Sequence, residues 1–154
     1  MSRWCRGAFF GAVVFLAAAC SRRPPNATAE GAVREFVERM RRVDGDPTDA
    51  KAAFDLLSKR AQQNLAARAQ RYSAASGKTI APEAMLVPSR FLLRFEAQRY
   101  TAQVAGTQAL VEVVGLLAHE RAHIPCVFEE DAWRVNVVLP QLPPVQMRPG
   151  STPN

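Results

Sequence analysis

The spacing of apolar residues changes halfway along the chain, and that change restricts the fold to helices followed by a sheet. From Thr28, a good helix N-cap, apolar residues recur at Ala29, Ala32, Val33, Phe36, Val37, Met40 and Val43, one stripe of a 3.6-residue helix. Asp44-Gly45-Asp46-Pro47 ends that helix. Thr48 or Asp49 then caps a short second helix carrying Ala53, Leu56 and Leu57, and Ser58 caps a third, from Lys59 to about Ala75, that stops at Gly77. Residues 78–89, with Pro82 and Pro88, form a connection whose Ala84-Met85-Leu86-Val87 stretch tucks under the domain.

After that connection the apolar period becomes two. Residues 100–104 and 109–114 read as strands joined by a tight turn at Ala105-Gly106-Thr107-Gln108, with β-branched residues where strands favour them. Ala122, Ile124, Cys126 and Phe128 then alternate with Arg121, His123, Pro125 and Val127. Past Glu129-Glu130-Asp131 the pattern resumes at Trp133, Val135, Val137 and Leu139, which predicts a second hairpin with one buried face. Pro125 has no amide to donate and so places its strand near an edge or at a bulge. The fold class expected is α+β: three N-terminal helices packed on a curved, cone-like antiparallel sheet over residues 28–140. The proline-rich residues 141–154 are expected to be a disordered tail.

A chain of 154 residues has room for one such domain. What precedes it is an address. Residues 1–19 begin with Arg3 and Arg6 and continue as an apolar run too short to span a bilayer, the pattern of a signal peptide. Its end, Leu16-Ala17-Ala18-Ala19-Cys20, resembles the lipobox of bacterial lipoproteins, although the favoured Leu sits one position upstream of its usual place and Ala17 stands there instead. The resemblance implies cleavage before Cys20, a palmitate-type lipid anchor on its thiol, and a short linker over residues 20–27. Cleavage after an ordinary Ala-x-Ala site, leaving a plain thiol, is the alternative. Several acyl chains on one cysteine give lasting attachment, where a single chain holds marginally. Ser21, where an Asp would resemble the inner-membrane retention signal, favours the outer membrane facing the periplasm.

Cysteine usage agrees with export, because Cys5 leaves with the leader, Cys20 takes lipid, and Cys126 alone remains in the domain as a small buried hydrophobe. Loss of Arg3 and Arg6 lowers the formal charge from +6 to +4. That modest excess, in an exported chain, argues against a nucleic-acid partner.

Helices first, then a sheet closing on Glu129, Asp131, Trp133, Arg134 and Val135, resembles the nuclear transport factor 2-like superfamily over residues 28–140. The likeness extends to small bacterial lipoproteins through Asp44-Gly45-Asp46, Leu56-Leu57-Ser58 and Val111-Glu112-Val113. These motifs imply a fold and leave the function open, since that superfamily spans ligand-binding proteins, isomerases and structural modules. Its enzymes place an Asp/His pair inside the cone, and no residues here map onto one.

Two further features bear on chemistry. His119-Glu120-Arg121-Ala122-His123 satisfies the H-E-x-x-H pattern of zinc proteases, with His119 and His123 as ligands and Glu120 as base, but only if the segment is helical. Val111, Val113, Val114 and Pro125 favour strand, which would leave the motif a coincidence. Lys59, Arg60, Arg68 and Arg71 could form a basic face for anionic envelope polymers, or a solvated helix surface. The leading expectation is a non-enzymatic lipoprotein, without cofactor, held to the membrane through Cys20 and binding a partner protein or a small apolar ligand.

Overall fold

The computed structural model describes residues 23–44 and 46–142. The leader, Cys20 and residues 143–154 lie outside the described residues, as does Gly45. Helix α1, Ala29–Met40, begins on Thr28, whose hydroxyl accepts the Gly31 N–H at 3.0 Å. Every residue of its expected stripe through Met40 is buried, and Val43 is half-buried. A Cβ on Gly31 would run into the carbonyl oxygen of Pro25, so glycine here lets the 3-10 turn Pro25–Ala27 lie against α1.

Helix α2, Pro47–Asp55, is capped by Asp46, which accepts the Thr48 N–H at 2.7 Å; neither Thr48 nor Asp49 is the cap. The cause is Pro47, whose fixed φ and missing donor suit the first helical position and set the boundary one residue earlier. Helix α3, Lys59–Ser76, starts on Ser58 as expected and ends on Gly77 at φ 68°. Ala61, Leu65 and Ala69 are buried, while Tyr72 on the same face is 60% exposed. Leu86 is buried beneath the connection, and α4, Pro88–Phe91, is a single turn.

The sheet is an open antiparallel meander of four strands in the order β1-β2-β3-β4: Arg99–Ala105, Gln108–Val114, Arg121–Glu129 and Ala132–Val135. The chain is therefore α+β. Gly106 takes a left-handed conformation in the first tight turn, and Glu130 and Asp131 both do so in the second. Paired positive φ values give a two-residue turn the twist that antiparallel strands need. Ala109, Val111 and Val113 of β2 face inward with Cys126 and Val135, and α1 lies against all four strands. The other two long helices join the sheet less directly: α2 packs on α1, and both α2 and α3 pack on the 3-10 turn Pro82–Met85. Among the described residues no helix is long and apolar enough to cross a membrane.

Both sheet edges are partly covered, which blunts them against pairing with other chains. On β1 the Glu30 carboxylate accepts the Ala102 N–H at 3.0 Å. On β4, Leu57 forms a parallel bridge to Val135, whose N–H donates to the Leu56 carbonyl at 2.8 Å while its carbonyl accepts the Ser58 N–H at 2.9 Å. Ser58 then donates its hydroxyl to the Asn136 side-chain oxygen at 3.0 Å.

Candidate functional site

The H-E-x-x-H residues do not lie on the helix that a zinc site of that pattern requires. Residues 108–114 and 121–129 are strands. His119 lies exposed in the turn between them, Glu120 turns its carboxylate back to accept the Leu117 N–H at 2.9 Å, and His123 projects from β3 into solvent near Glu112. Gly115 leaves the space that Glu120 fills. Among the described residues no group of three His, Cys, Asp or Glu side chains could hold a metal ion.

Lys59 and Arg68 are among the basic residues on α3 that are committed to internal contacts. Lys59 pairs with Glu130 and gives its backbone N–H to Glu129 at 3.0 Å, which holds the Lys59 ammonium above and the Glu130 carboxyl below their ordinary values. Arg68 bonds Asn64 at 2.7 Å and the Pro140 carbonyl at 2.6 Å. Arg71 lines a hollow with Tyr72, Ala75 and Leu142, and Arg60 is exposed. Cys126 is buried, and burial, then Glu30, pushes its thiol up to about 12, so it stays protonated and unreactive at neutral pH.

An ion cluster that no local pattern announced joins the first two helices. Asp49 is buried at the start of α2, where it accepts from Arg39 at 2.6 Å and from Arg42 at 2.9 Å; Arg39 also bonds Glu35 at 2.7 Å. Hydrogen bonds from Arg42 and then Arg39 hold the Asp49 carboxyl below the ordinary aspartate value of 3.8. A carboxyl depressed in the folded chain lends stability that is full above its unfolded value and lost as pH falls through the folded one. The Tm of the native protein is expected to drop below about pH 4. Asp49→Asn, already lower in Tm at neutral pH, should drop less, and parallel curves for the two proteins would contradict this.

Pro125 borders an apolar cleft on the inner face. Its strand lies between β2 and β4, but β4 pairs only with residues 126–129, so Pro125 stands where that side of β3 becomes an edge, close to the edge position expected. The reason proline is tolerated lies in the direction of its backbone. Phe128 donates to Thr107 on the β2 side, so alternate residues Val127, Pro125 and His123 turn their backbone groups toward β4. Asn136 donates to the Pro125 carbonyl at 2.8 Å, but proline cannot return the bond, and β4 ends at Val135. Val137 and Leu139, expected to continue the strand, leave the ladder, and Arg68 holds Pro140 over at α3.

Where the strands part, a cleft of about 360 Å³ opens. Phe36 of α1, Ile124 and Val135 of the sheet, and Val137 of the departing chain line it on one side. Phe91, Leu92 and Leu93 line it on the other, with Arg90 and His123 as its only charged or titratable lining residues. A second hollow of about 490 Å³ shares Leu92 and Leu93 with it and is bounded by Arg94, Phe95 and residues 119–122. The cleft lies within the range of about 300–1,000 Å³ typical of small-ligand sites. Another concavity, of about 430 Å³, lies over the outer face of the sheet, where Gln103, Gln108 and Asn136 share the lining with Leu110 and Val127. None of the residues 90–93 was singled out from the sequence. Their signal was present, because Phe91, Leu93, Phe95 and Ala97 alternate with exposed residues as an extended, half-buried segment would.

Comparison with protein-family models, with curated proteins and with solved structures finds no match for this chain.

Proposed function

We propose that the chain is an exported lipoprotein, cut before Cys20 and held by lipid on that cysteine to the periplasmic side of the outer membrane. Its domain, a cone-like relative of the nuclear transport factor 2-like kind, binds without catalysis, taking a small apolar ligand or the apolar group of a partner into the cleft beside Ile124. The cleft carries this reading: it is walled by Phe36, Phe91, Leu93, Ile124 and Val135, and it holds no carboxylate in its lining. An apolar site with one cation at its rim suits a ligand that is mostly hydrocarbon with a polar or anionic end. The reactive alternatives lack support, since the H-E-x-x-H residues sit on a turn and a strand and the one described cysteine is buried.

The anchor and the cleft are tested separately. Mass spectrometry of the protein extracted from membranes should find a first residue, Cys20, carrying acyl mass; an unmodified terminus there would overturn the anchor. The mature lipoprotein in lipid nanodiscs should take up octanoate saturably, above the uptake of empty nanodiscs. Uptake that only tracks lipid content would count against the ligand site.

A further inference from the structure

The same cleft contains an unfinished edge of the sheet. Strand β4 pairs with residues 126–129 of β3, and its ladder stops at the Asn136 to Pro125 bond. Residues 121–124 remain paired to β2, with His123 opposite Glu112. By strand alternation the His123 N–H and C=O point away from β2, into the space that β4 would have filled. Among the described residues no hydrogen bond meets either group. The chain's own continuation does not close this edge, because Arg68 draws Pro140 to α3.

Resting on the binding role proposed for this cleft, we infer that its occupant is an extended peptide segment of a partner protein, added antiparallel to β3 in the line of β4. The segment residue opposite His123 exchanges both backbone hydrogen bonds with it. Alternate apolar side chains of the segment drop into the cleft against Ile124 and Leu93, as in strand-addition complexes where the main chain gives affinity and alternate side chains give selectivity. Direction follows from β4, so the segment's C-terminal end reaches the second hollow, where Arg94 stands. Neither Arg90 nor Arg94 has an ion-pair partner among the described residues. The segment recognised is therefore apolar and alternating, with an acidic C-terminal end.

The probe is a dye-labelled Val-Thr-Val-Thr-Val-Asp peptide with a free carboxylate, followed by fluorescence anisotropy on the mature lipoprotein in nanodiscs. Two twins carry N-methyl groups on one or the other set of alternate amides. Strand addition expects one twin to lose about tenfold in affinity and the other to bind like the parent, because one set of amides faces β3 and the other faces away. Equal binding by parent and both twins would overturn it. On the protein side, His123→Pro removes the free N–H without touching the β2 ladder and should bind the parent peptide about tenfold more weakly than His123→Ala. Equal affinity of those two variants would also overturn it, and should His123→Pro fail to fold, the methylated twins carry the test alone. If the peptide does not bind while octanoate uptake remains saturable, strand addition falls and the apolar ligand site stands.

Discussion

Glutamate in place of Ile124 is expected to abolish saturable octanoate uptake while the protein stays folded. Ile124 lies on the inner side of β3, partly buried against the core, at the point where Phe36 and Val135 form the floor of the cleft. A carboxylate there places charge against apolar walls, where an ionised group without a partner is poorly tolerated. It also repels an anionic ligand from a cleft whose lining joins Arg90 to hydrocarbon. An affinity loss of at least about a hundredfold is expected, which corresponds to roughly 2.7 kcal/mol. Because the cleft opens to solvent, the new side chain can turn outward, and the circular dichroism spectrum should be that of the native protein. Unchanged uptake by a folded Ile124→Glu protein would place the ligand elsewhere.

Leu57→Ala should be among the most damaging single truncations for stability. Leu57 is 1% exposed, and its backbone bridges Val135 at the outer side of β4. It thus joins the short link between α2 and α3 to the last strand and buries its side chain at the same place. Truncating a fully buried leucine costs about 2–5 kcal/mol through lost transfer energy and the cavity left behind, a large part of the 5–15 kcal/mol total typical of a domain. A fall in Tm of roughly 10 °C or more is expected in a thermal melt. A Tm within about 2 °C of the native value would mean that residues 56–58 are not part of the cooperative core.

The elements legible in the sequence were those whose signals are local. Thr28 with its apolar stripe, Ser58 and Gly77 at the ends of α3, and Gly106 between alternating segments each encode their structure within a few residues. Errors arose where the deciding partner is distant. Val137 and Leu139 keep a strand's alternation, but whether they pair is decided by Pro125 across the sheet, which has no donor to offer. The capping of α2 was misplaced because Asp46, Thr48 and Asp49 all suit a helix start, and Asp49 is instead taken by Arg39 of α1 and Arg42 of the turn after it. The cleft draws on α1, residues 90–93, β3 and the chain beyond β4, so no window of sequence contains it. The histidine motif was legible as a pattern, yet its chemistry depended on a helix that β-branched neighbours disfavour.

The chain has two isoleucines, Ile124 in the cleft and Ile80 outside its lining, and this gives the central claim its most direct measurement. With isoleucine δ1 methyl groups labelled in the mature lipoprotein, addition of octanoate should shift the Ile124 resonance progressively to saturation and leave Ile80 in place. A saturable shift of Ile80 alone, or no shift of Ile124 at concentrations that saturate uptake, would contradict a ligand site beside Ile124.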